Sequence, residues 1–426
     1  MDRSRQPETT QSEATETSAG TVTDSTADSP TTAAPLFTTV ATVAACAGFV
    51  LLGALSAYYG PSIPALRSRF GLAPSVAGLA LSMYFGGACA GVLVGGTLHR
   101  KLRNGRLLLI SFLLMAVGSL GFALASTWSL ALTASLVLGF GAGGMDYGLN
   151  QLFSVGFGRR SPAMLSVLNA FYGVGAVAGP LLISLVGANN YPYAFAGTSV
   201  LLVIVACVLR TVRDSRDSEP EHASSFVRTQ GNPTRVVIPI IIAFLALYTL
   251  QVAVETGVGA WEPTYLQLLG RGADYAANAT SVYWLGLTLG RFLVAPLTLR
   301  WSEPTIVCVS CLGTTVCLAL AAVPSIAPYA LVGAGLFNAP VFPAGLPWLN
   351  RAAPGVRWAA TAAILAANLG GVAAGPLLGL AIEVFGGGSI AWTLTIVSAV
   401  CVALAVWLRY ATSATKAAAR IPVTDP

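Results

Sequence analysis

The chain has 426 residues, of which 55% are hydrophobic and only 9% charged, and its mean hydropathy is +0.73. This excludes a soluble protein with a charged coat: lipid must cover most of the surface, and backbone groups at lipid depth must be paired within helices or a closed barrel. The formal net charge of +6 does not point to nucleic acid, because the charges lie in loops between apolar runs and no basic domain exists.

Residues 1–34 are rich in Thr, Ser, Ala, Glu and Pro and hold no apolar run, so they are expected to form a disordered tail. The first run begins near Leu36 and is too long for a signal-peptide core, so it is expected to stay as a helix. Breaks at charged, Pro and Gly clusters then predict helices near 36–59, 74–97, 107–126, 130–157, 163–187 and 191–211. A second set is predicted near 236–261, 276–298, 304–323, 327–349, 358–384 and 389–409. These runs lack the strict alternation of barrel strands. The longest internal loop, 212–235, divides the chain into bundles over 35–211 and 236–410, with a second tail over 411–426.

Arginine placement sets the expected orientation. Alternate loops carry Arg100, Lys101, Arg103 and Arg106, then Arg159 and Arg160, the central loop, Arg300, Arg351 with Arg357, and the tail from Arg409. The opposite loops hold only Arg67, Arg69 and Arg271, so both termini and the central loop are expected in the cytoplasm of a multi-pass inner-membrane protein. Lysine is confined to Lys101 and Lys416 while Ala and Gly abound, which points to a GC-rich bacterial gene. The seven cysteines all lie in apolar runs, and Cys308 and Cys311, though spaced as CxxC, have no nearby His or charge; neither a disulfide nor a metal site is expected.

An internal repeat is legible. Gly175 to Leu182 reads GAVAGPLL and Gly371 to Leu378 reads GVAAGPLL, an offset of 196 residues. Tyr84, Gly87 and Gly91 recur as Tyr283, Gly286 and Gly290 at 199, and Gly139 and Gly141 as Gly333 and Gly335 at 194. The near-constant offset, half of the helical span, argues for two homologous six-helix bundles. The glycine–proline repeats have small-xxx-small spacing, and close helix packing is their better reading.

Gly95 to Arg106, GGTLHRKLRNGR, resembles the signature that follows the second helix in major facilitator transporters, with His99 where that pattern has an acid and a longer spacing to Gly105 and Arg106. WLGLTLGR (Trp284 to Arg291), NAPVFPAGLPWLN (Asn338 to Asn350), GGMDYGLNQLF (Gly143 to Phe153) and LNAFYGVGAVAGP (Leu168 to Pro180) resemble the fucose-permease-like branch. The resemblance implies an all-α membrane protein of twelve transmembrane helices in two pseudo-symmetric bundles. These would rock around a central site under an ion gradient, commonly of protons, with His99 and Arg100 in a charge relay at the gate.

Ionisable groups inside helices cost about 2.5 to 3.5 kcal/mol each on insertion scales and are functional candidates. Asp146, mid-helix with Asn150 one turn on, is a candidate proton site; the alternative is a fixed pair locking helices together. Tyr248, Gln251, Glu255 and Glu262 draw one stripe along the seventh predicted helix, with Glu255 a second proton site, an acceptor for substrate, or half of a gating bond. Glu262 and Glu383 lie near outer helix ends, where water is expected to reach them as surface or gate residues. Arg291 requires a carboxylate or several carbonyls, as the cation of a structural pair or as a site for an anionic substrate. Asn150, Gln151, Asn169, Tyr172, Gln251, Tyr283, Trp284, Asn338 and Asn368 are expected to line a polar cavity, because amides satisfy hydroxyls and rings stack on apolar sugar faces; the alternative is amides that glue helices.

The expected function is secondary transport of a small polar solute, sugar-like and proton-coupled, by a monomer in the bilayer, with no cofactor, metal or nucleic acid. A proton-antiport exporter of a drug or secondary metabolite is the alternative, and a non-transporting receptor or scaffold the third reading. An enzyme is not expected, because no nucleophile–base pair, metal cluster or phosphate loop occurs at matching spacing, and no channel filter motif is present.

Overall fold

The computed structural model describes residues 38–98, 101–210, 212, 237–354, 356 and 358–418. The expected first tail, residues 419–426 of the second, most of the central loop, and His99 and Arg100 lie outside the described residues, while residues 411–418, expected in the second tail, continue the last helix. The first six helices are α1 (Thr39–Phe70), α2 (Pro74–Leu98), α3 (Asn104–Leu124), α4 (Trp128–Gly156), α5 (Ser161–Val186) and α6 (Tyr191–Leu209). After the central loop come α7 (Val237–Leu268), α8 (Ala273–Thr298), α9 (Glu303–Leu320), α10 (Ala327–Asn338), α11 (Val341–Ala352), α12 (Trp358–Phe385) and α13 (Ser389–Ala418).

Eleven spans are long and apolar enough to cross a membrane, with α10 and α11 forming one of them over Ala327–Ala352. The twelfth, α8, has the length but carries Asp274, Asn278 and Arg291. The protein is therefore an all-α, multi-pass membrane protein of twelve spans among the described residues. Consecutive spans alternate in direction; the end where α1 stops at Gly71 is called the Gly71 face, and the end where it starts the Thr38 face.

Local chemistry sets the helix ends. The Thr38 hydroxyl accepts the Ala41 N–H at 3.1 Å and opens α1, and Gly71, at φ 64°, closes it in a left-handed turn that suits glycine. Three predicted boundaries need correction. The first helix runs eleven residues beyond 59, through Pro61 and Pro64, because lipid and packing offer no alternative backbone partners; the Ser62 hydroxyl donates to the Tyr58 carbonyl at 2.8 Å. The seventh continues through Pro263 to Leu268. The tenth is broken at Ala339 and Pro340, where proline removes one backbone donor.

The packing repeats across the two halves. α1 packs on α5 and α6 as α7 packs on α12 and α13, α2 on α4 as α8 on α10, and α3 on α6 as α9 on α13. Between halves the main contacts are α2 with α12 and α5 with α8, which exchange under the same pseudo-two-fold, and α1 with its equivalent α7. Glycines make these approaches possible. A Cβ on Gly139 would lie 1.9 Å from the Tyr84 carbonyl oxygen, and one on Gly335 would lie 2.8 Å from the Tyr283 carbonyl oxygen. On α5 a Cβ on Gly175 would meet Val50 O at 1.9 Å, and on α12 one on Gly370 would meet Thr249 O at 2.0 Å. The glycine–proline repeats thus serve helix packing, and on α12 the glycine beside Gly371 is the one that meets α7.

Candidate functional site

Between the halves lies a central cavity in two adjoining lobes. One, of about 500 Å³, is lined chiefly by α5, α7, α8, α11 and α12, and includes Ser166, Asn169, Gln251, Glu255, Thr288 and Arg291. The other, of about 260 Å³, is lined chiefly by α2, α4 and α5 and includes Tyr84, Phe85, Asp146 and Tyr172. Asn169, Arg291, Ile364 and Asn368 border both lobes, so each half contributes one carboxylate to a shared space crossed by a single guanidinium.

The α7 stripe explains one carboxylate. Gln251 and Glu255 lie one turn apart on the face toward α8, and Gln251 Nε2 donates to Glu255 Oε2 at 3.1 Å. Arg291, on α8, donates through Nη2 to Glu255 Oε1 at 2.9 Å, and the Tyr283 hydroxyl donates to the Glu255 backbone carbonyl at 2.9 Å. The Glu255 side chain is 15% exposed and that of Arg291 39%, so the guanidinium keeps donors free toward the cavity.

In the other lobe, Asp146 Oδ1 accepts from Asn150 Nδ2 at 2.8 Å, and Asn150 Oδ1 accepts from Asn169 Nδ2 at 3.1 Å. Two amides thus tie the α4 carboxylate to α5 at the lip shared with Arg291. The Tyr172 and Ser56 hydroxyls share a 3.0 Å hydrogen bond at the α5–α1 contact.

On the Gly71 face the halves are in tight contact. A Cβ on Gly60 would lie 2.2 Å from the Gly259 carbonyl oxygen, which is the carbonyl that Pro263 leaves without its helical N–H. Gly78 and Gly375 abut so closely that a Cβ on either would lie 2.3 Å from the other's carbonyl oxygen. Trp261 Nε1 donates to Gly375 O at 3.1 Å, the Ser82 hydroxyl to Val372 O at 2.5 Å, and the Ser75 N–H to Glu383 Oε1 at 2.6 Å. Ser166 and Asn169, near the start of α5, and Arg291 and Phe292, late in α8, are exposed and open the cavity toward the Thr38 face.

Of the residues expected to line the cavity, Asn169, Tyr172, Gln251 and Asn368 do so. Asn150 stands behind Asp146, and Tyr283 behind Glu255. The others need correction. Gln151 is exposed away from both lobes, because the site face of α4 is set by Asp146 and Gly143. Trp284 borders a separate small void with Ser56, Tyr59 and Gly259. Asn338 is buried at the break before α11. Glu262 is 1% exposed rather than water-accessible, packed beside Thr280 of α8. Glu383 is exposed and bridges the halves through Ser75. Ser166, Thr288, Phe292 and Phe342 went unforeseen; Ser166 shares a face with Asn169 and Thr288 with Arg291, each three residues apart, and Phe292 lies one turn beyond Thr288.

The family model of the Major Facilitator Superfamily matches residues 44–335. The chain belongs to the Major Facilitator Superfamily. Its relatives include the cyanate transport protein CynX of Escherichia coli (strain K12), 28% identical over 55% of this chain and 60% of its own length. Another is the glucose/mannose transporter GlcP of Bacillus subtilis (strain 168), 22% identical over 58% and 63%. The chain thus spans about three fifths of the length of these curated relatives. A crystal structure of a D-xylose-proton symporter superposes with a TM-score of 0.71 at 16% identity, over 87% of this chain and 96% of that one. The crystal structure of the nucleoside transporter NupG gives 0.68 at 14% identity, over 87% and 98%. Both share the major facilitator fold of this chain.

Proposed function

We propose that the protein is a secondary transporter that carries a small polar solute, sugar-like in size and hydroxyl content, across the bacterial inner membrane, driven by a proton gradient. The observation that carries this reading is the cavity: a carboxylate from each half, Asp146 and Glu255, with Arg291 on the border between them and amides from α5 and α12 beside it. The relatives named for glucose/mannose and for D-xylose–proton symport support it.

The arginine-rich loops support a cytoplasmic Thr38 face under the positive-inside rule, and on that reading this conformation is inward-open and sealed outside. Amides of Asn169, Asn368 and Gln251 offer both donors and acceptors to hydroxyls, and Phe292 and Phe342 offer apolar walls. Protonation of Glu255 would cancel its attraction for Arg291 and free the guanidinium, so that proton and solute occupancy are linked through one ion pair. Asp146, held by two amides in series, is the proton site of the other half.

A small anion is the second reading, favoured by the free donors of Arg291 and by the relative named for cyanate. Asp146→Asn tests the coupling: the folded variant should still equilibrate solute across vesicles yet lose proton-driven accumulation. Undiminished uphill transport would remove Asp146 from the mechanism.

A further inference from the structure

Glu262 is the buried carboxyl that the cavity does not use. It lies seven residues beyond Glu255 on α7, two turns toward the Gly71 face on the same stripe, and is 1% exposed. Neither carboxyl oxygen has a hydrogen-bond donor among the described residues. Thr280 of α8 lies alongside, but its hydroxyl proton is directed to the Ala276 carbonyl at 3.1 Å. An ionised carboxylate without a donor or a cation is strongly disfavoured in such a place, whereas a neutral carboxylic acid fits it.

Charges on the neighbouring elements leave Glu262 unneutralised. From α8, Tyr283 faces it, and the Tyr283 hydroxyl is bonded to the Glu255 carbonyl; Arg291, farther along α8, is paired with Glu255. On α1, Arg67 and Arg69 lie in the last turn and donate to Leu72 O, and to Tyr191 Oη and Ala125 O. Asp274 and Tyr275 are in the first turn of α8 and exposed. α10 carries only Tyr329, 76% exposed; the cation of α11, Arg351, pairs with Glu303; Glu383 of α12 accepts from Ser75; and on α13 the first charge is Arg409, twenty residues past its start.

We propose that Glu262 is a proton-binding site separate from Asp146 and Glu255, occupied by a proton while the Gly71 face is closed. It lies beside Thr280 of α8, three residues along α7 from Gly259, where the Gly60–Gly259 contact joins the halves. Opening that face would hydrate the carboxyl and permit release, with Tyr283 near both Glu262 and Glu255. This rests on the proposed transport reading only for the use made of the proton.

The test is infrared spectroscopy of the full chain reconstituted in lipid at neutral pH, comparing the parent with Glu262→Gln, Glu255→Gln and Asp146→Asn. The expected result is a carboxylic-acid carbonyl band in the parent that Glu262→Gln abolishes and the other two substitutions leave in place. A spectrum in which Glu262→Gln removes no such band overturns the assignment. Should Glu262→Gln yield no folded protein, Glu262→Asp must shift the band, and an unshifted band overturns it equally. Because no solute enters the measurement, its outcome is independent of whether transport is ever observed.

Discussion

Substituting Gly78 by alanine should hold the Gly71 face open. The new Cβ would lie 2.3 Å from the Gly375 carbonyl oxygen, 2.4 Å from its carbon and 2.8 Å from the Pro376 nitrogen. Ordinary contact begins near about 3.5 Å, so α2 and α12 would have to separate by about 1.2 Å. The atoms in the way are backbone on a rigid helix and cannot rotate aside. Overpacking of this kind costs roughly 1–3 kcal/mol. Because the strained contact joins the two halves, that cost falls on the closed form, and the open-to-closed ratio should rise by about 5- to 150-fold. Spin labels at Ala73 and Gly388, both exposed and one in each half at the Gly71 face, read the change as a longer distance in the Gly78→Ala protein. An unaltered distance distribution accompanied by a lower melting temperature would refute the reasoning, since the strain would then have been taken up within the fold.

Gly139→Ala is the matched control: its Cβ would lie 1.9 Å from Tyr84 O between α4 and α2 of one half, so it should lower thermal stability by about 1–3 kcal/mol and leave the label distance unchanged. For the Arg291–Glu255 pair, Arg291→Ala and Glu255→Gln together should destabilise by less than the sum of the single changes, as read by thermal unfolding. The coupling should fall at the low end of about 0.5–3 kcal/mol because Arg291 is 39% exposed and partly screened. Strict additivity would mean that the pair contributes nothing in the folded protein.

Much of the frame could be read from the residues. Apolar runs separated by charged and Gly/Pro breaks located the spans, and the α2–α4 contact recurs in space as α8–α10. The glycine register was off by two: Gly335, not the Gly333 that the sequence offset pairs with Gly139, meets Tyr283 as Gly139 meets Tyr84. The polar spacing on α7 marked Gln251 and Glu255 because a helix maps sequence spacing directly onto a face. The partner of Arg291 was not legible, since pairing between α7 and α8 depends on the stagger of two helices, which spacing within either does not encode. Proline misled in both directions: Pro61 and Pro263 sit inside continuous helices while Pro340 accompanies a break, the difference lying in neighbouring packing. Burial of Glu262 was hidden for a further reason. It depends on how α7 packs against α8, which position along the chain does not reveal.

The measurement that bears most directly on the account is solute accumulation by the parent protein in reconstituted vesicles with an imposed pH gradient, screened over monosaccharides, small anions and lipophilic drugs. A monosaccharide or, on the second reading, a small anion should accumulate inside when the exterior is acid, and collapsing the gradient should abolish accumulation. Expulsion of a lipophilic drug, or flux of any solute that ignores the proton gradient, would contradict it.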